Sequence, residues 1–338
     1  NFILPEVYLG EEDEERIAEI HGNMYAALES EKITKLNRGI VFTERTTAAG
    51  IRRGIVASID LEAYTCNKGE LSPIRSSEEV VPSRLPARVA VRRGAPLEFP
   101  HALIFYKDKK NRAVRTLLHE ELEVLYDFDL MEGGGRLKGY FVPEYLATGI
   151  LPDLYSRTEP SFAVADGNHS VAAAKAYWEE VKIGLTEKET RNHPARFTLV
   201  ELVNLYDDAV VFHPIHRLVT GIDPEAFCDY FKKSVKCKRK GNVLYPALGG
   251  SAENVEKADA LIETFVKQNG GKIDYIHGEK ELCGFANAED CAGVALKAIE
   301  KDGFFERLKD GGNFPKKTFS VGEDIEKRYY TEGREISY

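Results

Sequence analysis

The chain has 338 residues, of which 43% are hydrophobic, so it can bury one large core or two ordinary ones. Its formal net charge of −9 argues against a general nucleic-acid-binding surface, which would require a basic face. The five cysteines are scattered, and no two of them have the spacing of a zinc or redox motif. We therefore expect reduced thiols and a cytoplasmic location. No apolar run reaches the length of a membrane span and no signal peptide precedes the first strand, so we expect no membrane partner.

The first hundred residues predict a helix, a hairpin and a strand. An acidic amphipathic helix is expected over 9–28, because apolar residues recur there at helical spacing after an acidic first turn. A β-hairpin is expected from 39–45 and 52–60, with a glycine-containing turn between them. A further strand is predicted over 101–106, where five apolar residues follow His101.

Between the hairpin and that strand lies a charged, loop-rich segment with one candidate site. Glu78 and Glu79 follow an extended Pro-Ile-Arg-Ser-Ser stretch, and arginines, among them Arg84, come close behind. Such a pattern fits a carboxylate–cation site, and it also fits a surface segment held by salt bridges. The residues alone leave both interpretations open.

The segment from 117 to 158 combines a predicted helix, a glycine loop and an irregular stretch. We predict a helix over 117–130 and a hairpin turn at 132–138. The triple glycine of that turn lacks the Gly-Lys-Ser/Thr ending of a phosphate loop, and a strand follows it where a phosphate loop needs one before it. The stretch 139–158 is predicted to be irregular, as a linker or a mobile lid.

The closest grouping of candidate site residues lies in a predicted strand, tight turn and helix over 161–181. A short apolar run favours a strand over 162–165, and apolar residues then recur at helical spacing from Val171 onward. Gly167 allows the sharp turn, and Asn168 or Ser170 can cap the helix. The free N–H groups and the positive end of the helix dipole make this turn a candidate anion site. Asp166 and His169 add a possible metal ligand and a proton or hydrogen-bond donor.

The remainder of the chain alternates strands and helices, as a small α/β lobe does. Strands are predicted over 195–205, 210–219 and 273–277, and helices over 185–191, 224–231, 252–269 and 288–301. His213 and His216 lie three residues apart across Pro214, so one of them is a candidate site residue and a paired metal site is disfavoured. Lys316 and Lys317 lie beside a turn near the end of the chain.

Six stretches, taken in order, resemble one family. They are Pro73-Ile-Arg-Ser-Ser-Glu-Glu79, Arg84-Leu-Pro-Ala-Arg88, Leu97-Glu-Phe-Pro-His101, Asp166-Gly-Asn-His-Ser170, Pro214-Ile-His-Arg217 and Pro315-Lys-Lys-Thr-Phe-Ser-Val-Gly322. Together they look like domain-of-unknown-function family 1015, which belongs to the ParB/sulfiredoxin-like superfamily and has distant relatives that phosphorylate free L-serine.

The resemblance implies an α+β fold, with a ParB/sulfiredoxin-like nucleotide-binding core, a strand–turn–helix phosphate site and additional α/β elements. It implies an N-terminal α+β part over 1–160 that carries the glutamate and a C-terminal α/β part over 161–338 that carries the phosphate turn, unless the two are intertwined as one unit. A homodimer is a further expectation.

The same resemblance implies a small-molecule kinase that transfers a phosphoryl group from ATP or ADP, with Mg²⁺, to a small hydroxylated metabolite such as free L-serine. Its implied catalytic residues are Glu78 as base, with Glu79 as the fallback, together with Asp166 and His169. Asp166 is also the implied metal ligand. The implied nucleotide-binding residues are Gly167, Asn168, His169, Ser170, Arg84 and Lys317, and the implied substrate-binding residues are Arg75, His216 and Arg217. Kinase relatives often carry His-His-Arg at 168–170, so Arg84, Lys316 or Lys317 is expected to supply the missing cation.

Two other functional classes follow from the same superfamily. ParB-like proteins use this fold as a nucleotide-binding switch that clamps DNA, but the acidic balance and the lack of a helix-turn-helix signature argue against a nucleic-acid partner. Sulfiredoxin-like chemistry needs a cysteine in the phosphate turn, and this turn has none. The sequence therefore favours a kinase, with a slowly hydrolysing switch as the alternative.

Overall fold

The computed structural model describes residues 1–8, 14–30, 32–99, 102–156, 158–310, 312–327, 329 and 331–337, apart from the side chains of Glu6 and Asp324. The chain is a mixed α+β protein that divides into two compact units. The larger unit comprises Asn1–Val210 and Asp324–Tyr338, and the smaller unit comprises Val211–Glu323. None of the helices in the described ranges is both long enough and apolar enough to traverse a lipid bilayer.

The larger unit contains six helices and eleven strands among its described residues, numbered here along the whole chain. Its helices are α1 (Glu14–Glu29), α2 (Pro86–Arg92), α3 (Arg112–Leu118), α4 (Glu144–Leu154), α5 (Asn168–Lys182) and α6 (Glu187–Asn192). Its strands are β1 (Gly39–Thr47), β2 (Gly50–Asp60), β3 (Tyr64–Thr65), β4 (Ile74–Ser76), β5 (Leu97–Glu98), β6 (Leu103–Tyr106), β7 (Glu123–Asp129), β8 (Arg136–Pro143), β9 (Phe162–Asp166), β10 (Phe197–Asn204) and β17 (Arg334–Glu335).

A mixed sheet organises the larger unit, in the strand order β3-β4-β9-β6-β10-β2-β1-β8-β7. Its central strands are apolar and β-branched, and α5 packs its apolar stripe against them, with Trp178 and Val164 fully buried in one cluster. Each such side chain contributes about 1.5–3 kcal/mol by leaving water. Strands β4 and β9 pair in parallel, with Ser76 opposite Val164. Their carboxyl ends therefore meet at the same edge of the sheet.

The smaller unit has a second sheet, in the order β12-β13-β15-β11-β14, with β16 paired to β11. Its strands are β11 (Phe212–Thr220), β12 (Cys237–Lys240), β13 (Val243–Pro246), β14 (Lys272–His277), β15 (Cys291–Val294) and β16 (Phe319–Val321). Its helices are α7 (Pro224–Ser234), α8 (Ala252–Asn269), α9 (Glu279–Phe285) and α10 (Phe304–Lys309). A separate core, which includes Phe227, Phe231 and Ile262, packs α7 and α8 onto this sheet.

Most predicted elements are confirmed. The hairpin of β1 and β2, the strand–turn–helix at β9 and α5, the glycine turn between β7 and β8, and helices α7 and α8 all form where expected. The N-terminal helix is confirmed from Glu14 onward, and its predicted start at 9–13 lies outside the described residues. Strand β6 begins at Leu103, while His101 of the predicted strand also lies outside them.

Three predicted elements are wrong. The helix expected over 117–130 ends at Leu118, and Glu123–Asp129 is an edge strand because it pairs with β8. The supposedly irregular stretch 139–158 contains the end of β8 and all of α4. The helix expected over 288–301 is replaced by β15, which lies between β13 and β11 and is buried along its whole length. A strand that is buried on both faces shows no alternation of apolar and polar residues. The short apolar run of β15 therefore resembles a segment of a buried helix.

The boundary between the units also differs from the predicted division at 160. It falls after Val210, because β9 pairs with β4 on one side and β6 on the other, inside the sheet of the larger unit. The last fifteen residues then return to that unit.

Candidate functional site

The candidate site is built on the turn between β9 and α5. Strand β9 ends at Asp166, and Gly167 follows with φ +82° in the left-handed region. A Cβ atom at Gly167 would lie 2.9 Å from the Cα of Ala102, which is closer than real side chains approach. The turn therefore needs glycine for two independent reasons, its backbone conformation and its close approach to the neighbouring chain.

We predict that Gly167→Ala destabilises the larger unit, by at least about 1–2 kcal/mol from the left-handed conformation alone. Gly149→Ala in α4 is the matched control, because Gly149 is helical and a Cβ atom at this position would meet nothing within 4 Å beyond its own helix and chain neighbours. That control should be neutral or stabilising by about 0.5–1 kcal/mol. Urea unfolding followed by the fluorescence of Trp178, which lies on α5, measures both variants. Equal stability of the two variants would contradict the requirement for glycine in this turn.

Asn168 ties the turn to the end of the neighbouring strand β4. Its side chain is buried, and its Oδ1 accepts hydrogen bonds from Ser76 Oγ at 2.6 Å and Ser77 N at 3.1 Å. Its Nδ2 donates to Ser77 Oγ at 3.4 Å. Asn168 therefore acts as a positioning residue, and its role is to fix the path of the chain that leads to Glu78.

Glu78 lies between two points that are anchored to the first turn of α5. On one side are the serines bound to Asn168, and on the other Val81 N donates to His169 Nε2 at 3.1 Å. Glu78 is half-buried, whereas Glu79 is exposed. The structure thus brings the segment carrying Glu78 together with the turn carrying Asp166, Gly167, Asn168, His169 and Ser170. Since Nε2 of His169 accepts a hydrogen bond, the neutral ring carries its proton on Nδ1.

The helix N-terminus offers fewer donors than its sequence indicates. The N–H groups of Ser170 and Val171 both donate to the carbonyl of Gly167, at 2.9 and 3.1 Å. An anion at this turn would lie at the positive end of the α5 dipole, with the backbone N–H groups of Asn168 and His169 as candidate donors.

Asp166 has an ion-pair partner that the sequence does not indicate. Its Oδ1 accepts from the N–H of Gly167 at 2.9 Å, and its Oδ2 lies 2.7 Å from Nζ of Lys327. Lys327 is positioned by Arg45, whose buried guanidinium donates to the carbonyls of Ile325, Glu326 and Lys327 at 2.6–2.8 Å. No local pattern links Asp166 to a lysine 161 residues away, so only the fold reveals this pair.

A Mg²⁺ ion fits this turn only in part. No three His, Cys, Asp or Glu residues are grouped for metal binding anywhere in the described ranges. Asp166 is the carboxylate of the turn itself and could hold the ion, with nucleotide phosphates as the other ligands, as Mg²⁺ often requires. When bound, such an ion neutralises phosphate charge. Lys327 would have to release Asp166 Oδ2 for this to occur.

The two predicted arginines of the larger unit differ in accessibility. Arg84 is exposed, in a short 3₁₀ turn that precedes α2. Arg75 on β4 is fully buried, and its Nη2 donates to the carbonyl of Asn67 at 3.2 Å. Burial lowers the pKa of Arg75. Its expected role as a substrate ligand stays a prediction.

The other predicted residues, Lys317, His216 and Arg217, belong to the smaller unit. Arg217 is fully buried and makes a two-pronged ion pair with Asp259 at 2.7 and 2.9 Å, while its Nη1 donates to the carbonyls of Ile215 and Lys317. His216 is buried, accepts from Leu296 N through Nδ1, and has a pKa lowered by burial. Their expected contacts with nucleotide or substrate stay predictions.

The fold and the site define a mixed α+β protein with a strand–turn–helix site at the carboxyl ends of two parallel strands. The chain belongs to the family described as "Protein of unknown function (DUF1015)", which matches residues 1–290. No curated protein matches it.

Several solved structures are distantly similar to the chain. A free serine kinase in complex with AMP has 14% identity and a TM-score of 0.42, with 83% of this chain and 91% of that chain covered. A mutant of free serine kinase in complex with ADP has 14% identity and a TM-score of 0.42, over 83% and 92%. A conserved hypothetical protein from Pyrococcus furiosus has 11% identity and a TM-score of 0.40, over 83% and 95%.

Proposed function

We propose that the chain is a nucleotide-dependent phosphotransferase that acts on a small hydroxylated metabolite, with free L-serine as the first candidate. The observation that carries this proposal is the attachment of the Glu78 segment to the first turn of α5 through Asn168 and His169. A carboxylate beside a helix N-terminus provides the two things that phosphoryl transfer requires, a base for the alcohol and a site for the phosphates.

In this proposal the turn binds the phosphates of ATP or ADP, within a ParB-like nucleotide-binding core. The N–H groups of Asn168 and His169 and the Nδ1–H of His169 donate to phosphate oxygens. Lys327, which pairs with Asp166 in this structure, supplies the cation that the Asn168-His169-Ser170 sequence lacks by exchanging that carboxylate for a phosphate oxygen. Glu78 accepts the proton of the substrate hydroxyl as the oxygen attacks the terminal phosphorus, and the nucleotide leaves with one phosphoryl group fewer.

Incubating the protein with ATP or ADP, Mg²⁺ and a panel of amino acids and polyols tests the proposed activity. We expect nucleotide consumption that depends on a hydroxylated acceptor and yields a phosphorylated product. Nucleotide binding with only slow, acceptor-independent hydrolysis would instead support a ParB-like switch. Absence of both binding and turnover would reject the nucleotide site altogether.

We predict that His169→Ala and Asp166→Asn each weaken nucleotide binding as well as turnover. His169 is proposed to donate to phosphate, and charge-assisted hydrogen bonds contribute about 1.5–3 kcal/mol, so its loss should reduce affinity by about 10-fold or more. Calorimetric titration of ADP with Mg²⁺ measures this change. His119→Ala and Asp129→Asn are the controls, because both residues are exposed in other parts of the larger unit. Unchanged nucleotide affinity in His169→Ala and Asp166→Asn would remove both residues from the phosphate site.

A further inference from the structure

The glycine turn between β7 and β8 packs against β1 and against the C-terminal segment, defined here as residues 325–327 and Tyr329. A Cβ atom at Gly135 would overlap the carbonyl oxygen of Thr46 in β1, and one at Gly134 would lie 2.9 Å from the hydroxyl of Tyr329. That hydroxyl donates to the carbonyl of Met131 at 3.3 Å. Because glycine has no side chain, the turn can approach both neighbours closely. The C-terminal segment therefore rests on this turn.

Arg45 of β1 connects the glycine turn to the C-terminal segment. Its guanidinium is buried, and its Nε and Nη2 donate to the carbonyl of Gly134 at 3.3 and 3.0 Å. Its Nη1 donates to the carbonyls of Glu326 and Lys327, and its Nη2 donates to that of Ile325, at 2.6–2.8 Å. A guanidinium has five N–H donors in a fixed plane, so one arginine can hold several carbonyls at once. One buried side chain thus sets the path of the segment.

Glu326 attaches the same segment at a second point. Its buried carboxylate accepts a hydrogen bond from the N–H of Ala48 at 3.0 Å, in the turn between β1 and β2. The guanidinium carbon of Arg45 also lies 5.2 Å from the centre of the Tyr329 ring. Lys327 lies between Glu326 and Tyr329, so its backbone is held in place before its side chain makes any contact.

The ion pair between Lys327 and Asp166 is too exposed to position Lys327 by itself. The two side chains are 45% and 37% exposed, and ion pairs at such sites contribute little to stability. Hydrogen bonds from a buried, charged donor such as Arg45 are stronger. The contacts of Arg45 and Glu326 therefore decide where Lys327 lies. Because the lysine side chain is long and flexible, its ammonium group can exchange Asp166 for a phosphate oxygen without movement of the backbone.

We propose that Arg45 is a positioning residue that, together with the glycine turn, holds the C-terminal segment so that Lys327 reaches the phosphates at the α5 turn. This inference rests on the proposed function, which supplies the identity of the ligand. It gives the triple glycine a role that differs from that of a phosphate loop. The turn supports the segment that carries the phosphate-binding lysine, and it does not contact the phosphate itself.

Calorimetric titration of ADP with Mg²⁺ tests the positioning role. We expect Lys327→Met to weaken ADP binding by about 10-fold, because a charge-assisted contact with phosphate is lost. Arg45→Met should cause a loss of similar size. Arg45→Met combined with Lys327→Met should cause no further loss, because a misplaced lysine and an absent lysine are equivalent. Arg53→Met is the matched control, since Arg53 of β2 pairs with Glu44 at 3.1 Å and its replacement should leave ADP affinity unchanged.

Amide hydrogen exchange provides a readout that does not need the nucleotide. Exchange in a peptide that contains residues 325–327 should be faster in Arg45→Met and unchanged in Lys327→Met, because only the first variant releases the backbone. Unchanged exchange in Arg45→Met would overturn the anchoring role. If exchange responds as expected but the wild type does not bind ADP, the proposed phosphotransferase function fails and the anchoring role stands.

Glu326→Ala keeps the test decisive if Arg45→Met does not fold. Ala48 is exposed, so its N–H can bind water once the carboxylate is removed, and Arg45 remains in place. We expect faster exchange at 325–327 and weaker ADP binding, with no further weakening when Lys327→Met is added. Additive losses of affinity in either double variant would overturn the proposal, as would wild-type ADP affinity in Lys327→Met.

Discussion

Glu78→Gln should reduce turnover by about 10²–10⁴-fold, the usual contribution of a general base, while nucleotide affinity changes little. The amide keeps the shape and hydrogen-bonding capacity of the carboxylate but cannot accept the hydroxyl proton. The phosphates are proposed to contact the α5 turn, so their binding does not depend on this proton. A turnover assay with L-serine, beside calorimetric titration of ADP, separates the two effects.

Glu79→Gln is the matched control for this result. Glu79 is the next residue in the chain and is exposed, whereas Glu78 is half-buried beside the turn. We expect Glu79→Gln to turn over at the wild-type rate. Wild-type turnover in Glu78→Gln, with a large loss in Glu79→Gln, would assign the base to Glu79. A loss of nucleotide binding in Glu78→Gln would show that Glu78 supports the phosphate site and is not simply a base.

Arg217→Met should destabilise the smaller unit by about 3–5 kcal/mol, because it leaves the carboxylate of Asp259 without its partner. Arg217 is fully buried, and both of its ion-pair distances to Asp259 are below 3 Å. Urea unfolding followed by circular dichroism should show this loss. These contacts give Arg217 a structural role within its own unit, and the substrate contact expected from the sequence stays a prediction.

Arg239→Met provides the comparison within the same unit. Arg239 pairs with the largely exposed Glu225, and such surface pairs contribute about 0–1 kcal/mol. The double variant Arg217→Met with Asp259→Leu should recover much of the lost stability, since both charges are then removed. An Arg217→Met protein of wild-type stability with a raised KM for the acceptor would support substrate binding instead.

The sequence by itself determined the elements whose signals are local. The strand, the left-handed Gly167 and the first turn of α5 follow one another directly in the chain, so apolar periodicity and turn chemistry were sufficient to place them. The β1–β2 hairpin has a short turn and clear strand patterns on both sides. The candidate base Glu78 and the candidate phosphate-binding turn are likewise predicted from the sequence, through motifs that resemble those of the family.

Only the tertiary structure decided which distant residues meet. Asn168 contacts Ser76 and Ser77 because β4 and β9 pair in parallel, and Lys327 reaches Asp166 because Arg45 holds the returning C-terminal segment. The sequence favours a helix where strand β15 forms for a related reason, since the two strands beside it, β13 and β11, decide its type. Such contacts join residues that are far apart in the sequence. Their energy depends on tertiary packing, which local secondary-structure propensity does not describe.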